Sequence, residues 1–141
     1  MTVGICSGYF QRLHEGHKKY IKSAFLYCDR VIVIVNNDDQ QKAKYKDFTN
    51  LKTAAEIAEE VRGAFPGAET VISVDADGSV RKTLHLIYRK RQSGDVYYFC
   101  KDADRDALNI PESDTLNALG ICLLHFGNPK ENSSSQIMRD E

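Results

Sequence analysis

Two histidines, His14 and His17, flank Glu15-Gly16 near the start of the chain. They follow a short apolar run, Val3 to Cys6, and precede apolar side chains at helical spacing: Tyr20, Ile21, Ala24 and Phe25. Both rings are therefore expected where a strand turns into a helix. There an α/β sheet offers free backbone N–H groups and the positive end of a helix to an anion. Gly16 lets backbone approach a phosphate closely, and Gly8 lets the chain turn beneath a ligand. Displacement at an α-phosphate builds negative charge on oxygen and asks no covalent work of the protein. It needs donors set in advance on those oxygens. Two imidazoles supply such donors without the mobility of lysine.

Other residues suit the same anion. Lys42, Lys44 and Lys46 lie in the polar stretch Asn37–Asn50, and a lysine is a mobile point charge that suits a phosphate entering and leaving. Ser133, Ser134 and Ser135 precede a short apolar segment near the end of the chain. Their hydroxyls and the N–H groups of a helix start could hold a leaving pyrophosphate, although plain capping needs only one serine. Asp38 closes the second apolar run and could orient a histidine or a lysine, or cap the turn. Lys101, Asp102 and Asp104 follow a further strand-like run, where carboxylates could meet a hard cation.

The elements needed to position these residues alternate between strand and helix. Strands are expected at Val3–Ser7, Val31–Asn36, Glu69–Val74, Asp95–Cys100 and Ile121–Phe126. Helices are expected at Glu15–Tyr27, Leu51–Phe65, Ser79–Gln92, Pro111–Leu119 and Asn132–Arg139. The β-branched run at Val31–Val35 suits a strand covered on both faces. This pattern predicts an α/β fold, a Rossmann-like three-layer sandwich with a five-stranded parallel sheet, in one domain over residues 1–141. Asn37–Asn50 and Lys101–Ile110 read as long loops at the carboxyl edge of the sheet, where ligands bind in open α/β folds.

Composition narrows the function. The chain has 141 residues and a formal net charge of −1. No basic excess points to nucleic acid, and no polybasic patch points to a membrane surface. The longest apolar runs are too short to span a bilayer. Met1 leads straight into a strand-like run, so a cytoplasmic protein is expected. Cys6, Cys28, Cys100 and Cys122 form no C-x-x-C pair and read as small buried hydrophobes in a reducing compartment.

Gly8-x-Phe10-x-x-x-His14-x-Gly16-His17 resembles the G-x-F-D-x-x-H-x-G-H signature of the cytidylyltransferase-like nucleotidyltransferases. The likeness extends over most of the chain and is strongest to glycerol-3-phosphate cytidylyltransferase and the adenylyltransferase domain of ADP-heptose synthesis. Cys28 to Asp38 resembles the family's second strand with its closing Asp. Counted on from Asp38, Lys44 and Lys46 fall on the family's two substrate-binding lysines. Asn132 to Ile137 resembles the family's I-S-T-T-x-I segment. The resemblance implies transfer of CMP or AMP from CTP or ATP to a phosphorylated small molecule, such as a polyol or sugar phosphate, with release of pyrophosphate and with Mg²⁺. It implies catalytic roles for His14, His17, Lys44 and Lys46. It also implies nucleotide contacts from Gly8, Tyr9, Phe10, Gly16 and Ser133 to Ser135, contacts to ribose and base from the acidic stretch, and a homodimer. No dedicated metal site is expected, since Mg²⁺ would arrive with the triphosphate.

The chain departs from that pattern in three places. Gln11 stands where the family has Asp, Ala55 where it has one arginine, and Asn128 where it has another. These departures motivate an alternative reading, a nucleotide-binding module of the same fold that turns over weakly or not at all. A dinucleotide-binding oxidoreductase is disfavoured by the absence of G-x-G-x-x-G. An aminoacyl-tRNA synthetase would need a longer chain and a basic surface.

Overall fold

The computed structural model describes residues 1–102 and 110–126. Five parallel strands form one sheet: β1 (Thr2–Gly8), β2 (Arg30–Val35), β3 (Glu69–Ile72), β4 (Val96–Lys101) and β5 (Cys122–His125). Their order is β3-β2-β1-β4-β5. The chain winds outward from β1 to one edge, then returns to β4 on the other side. The reversal between β1 and β4 is the topological switch point, where the carboxyl ends of the strands open a crevice.

Helices α1 (Glu15–Tyr27) and α3 (Ala54–Ala64) cover one face. Ile21 and Ala24 from α1, with Ala54, Ile57, Ala58 and Val61 from α3, pack on Cys6, Val31, Val33, Val35 and Cys100. Helices α4 (Arg81–Arg89) and α5 (Ser113–Leu119) cover the other face. Leu84 and Leu116 there pack with Val3, Ile5, Ile32, Ile34, Tyr97 and Phe99. Successive strand residues therefore feed opposite cores, as a sheet buried on both sides requires. The α3 positions Ala54, Ile57, Ala58 and Val61 make the i, i+3, i+4, i+7 stripe of an amphipathic helix. Each fully buried Ile or Val side chain contributes roughly 1.5–3 kcal/mol. The expected three-layer α/β sandwich is the observed one.

The boundaries differ by a few residues, with one larger correction. Asn37–Asn50, expected as a long loop, begins with a helix, α2 (Asp38–Lys44). Asn37 caps it: its side chain accepts from the Gln40 N–H, while the Gln40 side chain accepts from the Asn37 N–H. Gln40 and Gln41 are buried. Helix α3 likewise starts at its own capping box, Thr53 with Glu56, later than the expected Leu51. The strand expected to reach Val74 ends at Ile72, because the chain turns there to bond with α2.

Of the cysteines, Cys6, Cys28 and Cys100 are buried as expected, whereas Cys122 is exposed. Strand β5 is an edge strand, and Cys122 is its first residue. The helix expected at Asn132–Arg139 lies outside the described residues.

Candidate active site

The first strand-to-helix turn is built around a folded-back phenylalanine. Phe10 has φ 51°, a left-handed conformation that costs a non-glycine residue of order 1 kcal/mol. Burial of its ring offsets that cost, since Phe10 is only 2% exposed. The ring lies over Gly8: a Cβ there would come within 2.8 Å of Phe10 Cζ. The glycine thus admits the ring, and the ring in turn supports the histidines.

His17 meets Phe10 edge-on, with centroids 5.1 Å apart, and stacks on His14 at 3.8 Å with the planes inclined by 20°. His14 is the N-cap of α1, and its Nδ1 accepts a hydrogen bond from the Gly16 N–H at 3.1 Å. That bond fixes the neutral tautomer, so the ring proton of neutral His14 sits on Nε2. Partial burial, and next the neighbouring His14, push the His17 pKa down to about 4, against a smaller opposing contribution from the Arg12 backbone. His17 is therefore neutral at pH 7. Its Nδ1 is buried without a hydrogen-bond partner among the described residues. Tyr20 fixes the helix below this pair, its hydroxyl accepting from the Ser7 N–H at 3.3 Å and donating to the Cys100 carbonyl at 2.7 Å. It joins α1 to both strands that border the switch point.

The structure brings Lys44 to this turn and leaves Lys46 on its rim. Lys44, in the last turn of α2, places its Nζ 4.4 Å from the centroid of the Tyr9 ring and 5.8 Å from that of Tyr45. Tyr45 meets Tyr9 edge-on at 5.9 Å and Phe48 edge-on at 5.5 Å. Lys46 is exposed in the turn after α2. Asp38 touches neither a histidine nor a lysine among its hydrogen-bond and ion-pair contacts. Its Oδ1 accepts from the Ala54 N–H at 2.7 Å and so caps α3. Lys101 ends β4 at the same edge of the sheet, and Asp102 follows it. Asp104 and Ser133, Ser134 and Ser135 lie outside the described residues, as does Asn128.

Side chains that sequence reasoning passed over hold this edge together. The Gln40 amide donates to the Asp77 and Ser79 carbonyls, while its oxygen accepts from Asn36 Nδ2, the Asn37 N–H and the Ser73 hydroxyl. Buried Asp75 accepts from the Lys82 N–H at 2.7 Å, the Thr83 N–H at 3.0 Å and the Thr83 hydroxyl at 2.6 Å, capping α4. The Asn37-x-x-Gln40 spacing was a readable capping signal. Nothing in the apolar pattern marks the rest.

Among the described residues no group of three or more His, Cys, Asp or Glu side chains is placed to hold a metal ion. No helix among them is long and apolar enough to cross a membrane.

Topology and site define a doubly wound α/β protein with a stacked histidine pair at the mouth of its switch point. The cytidylyltransferase-like family model matches residues 5–139, and the chain belongs to that family. It is, by family, a nucleotidyltransferase. No curated protein matches it closely in sequence. Among solved structures it is similar to the lipopolysaccharide core biosynthesis protein of Thermoplasma volcanium GSS1, with 18% identity and a TM-score of 0.64 over 91% of this chain and 98% of that one. A protein of unknown function from Archaeoglobus fulgidus aligns with 20% identity and a TM-score of 0.61, over 90% of each chain. The bifunctional NMN adenylyltransferase/ADP ribose pyrophosphatase of Francisella tularensis aligns with 11% identity and a TM-score of 0.60, over 89% of this chain and 38% of that one. At these identities the likeness is one of fold.

Proposed function

We propose that this protein transfers CMP, or alternatively AMP, from the nucleoside triphosphate to a phosphorylated polyol or sugar, releasing pyrophosphate. The observation that carries the reading is the His14–His17 stack, set at the start of α1 and at the switch point of the sheet. An acceptor phosphate oxygen attacks the α-phosphorus in line. The bond from that phosphorus to the bridging oxygen breaks, and pyrophosphate departs. No enzyme nucleophile takes part, so positioning and charge stabilisation are the protein's whole contribution.

His14 donates through Nε2–H to the oxygens that gain charge, because its Nδ1 is already occupied by Gly16. His17, held neutral by burial, acts as a neutral donor, a role imidazole fills when its pKa is pushed below neutrality. Gly8, Tyr9, Phe10 and Gly16 shape the nucleotide cradle, Lys44 and Lys46 hold the acceptor phosphate and the α-phosphate, and Ser133 to Ser135 hold the β- and γ-phosphates. The substrate is the Mg²⁺ complex of the triphosphate. The protein works in the cytoplasm as a homodimer.

The test is pyrophosphate release from CTP and from ATP across a panel of polyol and sugar phosphates. Turnover with one pairing, falling about 10²–10³-fold in His14→Ala and in His17→Ala, is expected for loss of a preorganised donor. Wild-type inactivity across the panel, together with nucleotide binding that His17→Ala leaves unchanged, would refute the reading.

A further inference from the structure

The side chain of Gln11 is fully engaged, and its partners admit only an amide. Nε2 donates to the Lys52 carbonyl at 2.9 Å and to Gln41 Oε1 at 3.2 Å, while Oε1 accepts from the Lys52 N–H at 3.1 Å. The orientation of Gln41 is not free. Its Nε2 donates to the Tyr9 and Asn36 carbonyls, at 2.8 and 3.1 Å, so its oxygen must face Gln11. Gln11 must therefore present two donors and one acceptor together. Asparagine is a methylene too short, and a carboxylate would set lone pairs against two oxygens.

The contacts span the entrance. Gln11 belongs to the turn that carries Phe10 and leads to His14, and Lys52 belongs to the segment between α2 and α3. Residues 45–53 of that segment include Lys46 and the exposed aromatic Phe48. At its other end, Gln41 on α2 receives the same amide one turn before Lys44. Lys52 is held a second time, its Nζ pairing with Glu60 at 2.5 Å.

We propose that Gln11 is a positioning residue: its amide clasps the α2–α3 segment to the histidine turn and sets the separation between the lysine rim and the imidazole pair. The clasp itself stands on the hydrogen bonds alone; its effect on ligands rests on the transferase reading above. A carboxylate in place of this amide would lose both donors, to the Lys52 carbonyl and to Gln41, and loosen the clasp.

The experiment compares wild type with Gln11→Ala and the isosteric Gln11→Glu, in the full chain. Site-resolved hydrogen exchange at the Lys52 amide is the first readout. Exchange is expected to rise about tenfold in both variants at neutral pH, the loss of one modest hydrogen bond. Exchange at Ile57 and Val61 in the core of α3 is expected to stay unchanged, which separates the clasp from general unfolding. In Gln11→Glu, acidification that protonates the carboxyl restores a donor and is expected to bring back part of the protection. The second readout is turnover: KM for the acceptor rises several-fold in both variants while kcat changes less than twofold. Equal Lys52 exchange in wild type and both variants overturns the clasp. Raised exchange with unchanged acceptor KM overturns its positioning role. A wild type that binds neither CTP nor ATP refutes the transferase reading, and the exchange comparison still decides the clasp.

Discussion

The sharpest quantitative consequence of the site concerns the protonation of His17. In an unfolded chain its imidazole would titrate near 6.5, and in the fold near 4. The neutral ring is the one the fold accepts, because it is partly buried against Phe10 and stacked on a second imidazole. The sign follows from proton counting. Between those two pH values the unfolded chain holds a proton that the native state does not, so stability rises with pH there. The contribution is complete above pH 6.5 and is lost progressively as pH falls toward 4. At ~1.4 kcal/mol per pH unit an unscreened gap of that size would be worth ~3 kcal/mol. Solvent reaches part of the ring, and screening reduces this to ~1–2 kcal/mol.

The perturbation is His17→Asn, which cannot take up a proton. The variant forfeits ring packing and is expected to be less stable than wild type at pH 7.5. Its disadvantage should shrink by ~1–2 kcal/mol by pH 4.5, since only the wild type meets the protonation penalty. Urea denaturation of both proteins at half-unit steps from pH 7.5 to 4.5 supplies the two curves, and their difference cancels every carboxylate common to both. Parallel curves would refute the argument, as would an NMR titration placing the His17 ring at or above 6.5.

Three further perturbations probe the supports of the site. Gly8→Ala drives a methyl to 2.8 Å from the Phe10 ring, and should cost about 1–3 kcal/mol by chemical denaturation, with loss of nucleotide binding larger than the loss of stability alone accounts for. Asp75→Ala strips the acceptor from two N–H groups and a hydroxyl at the start of α4, and should cost about 1–3 kcal/mol, with faster exchange at the Lys82 and Thr83 amides. Ile57→Ala empties a fully buried site between α3 and the sheet and should lower stability by about 2–5 kcal/mol while leaving pyrophosphate release intact in the folded fraction.

The architecture was legible because it is written in apolar period. Val31 to Val35 reads as a strand buried on both faces, and Ala54, Ile57, Ala58 and Val61 read as one stripe of a helix. The histidine turn was legible because glycine and histidine at fixed spacing are rare outside a purpose. Helix α2 was not legible by the same signal, because its buried face is amide rather than apolar. Gln40 and Gln41 are among the most buried side chains in the protein, and a hydropathy pattern reads them as solvent-facing. Their burial is affordable only because their N–H groups meet the carbonyls of Tyr9, Asn36, Asp77 and Ser79 while their oxygens accept from Gln11, Asn36, Asn37 and Ser73, and several of these partners are remote in sequence. Asp38 shows the same gap at one residue: its place was read, its partner on α3 was not.

This division has a physical consequence for how the site is held. The two apolar cores fix where the strands and the four covering helices lie, but hydrophobic contact is non-directional and tolerates small shifts. Hydrogen bonds are directional, and a buried amide with one arrangement that satisfies all its atoms admits no neighbouring alternative at low cost. The carboxyl edge of β1, β2 and β3 is made of such amides: Gln40 locks α2 to the β3–α4 turn, Gln41 locks it to the β1–α1 turn, and Gln11 closes onto Lys52. Lys44 leaves α2 from between these locks and reaches the face of Tyr9. The lysine's position relative to the imidazoles is therefore set by a chain of amide hydrogen bonds rather than by the core. Core truncations should lower stability without moving the rim, whereas substitutions of the buried amides should move the rim and also lower stability, by about 1–3 kcal/mol for each partner left unpaired.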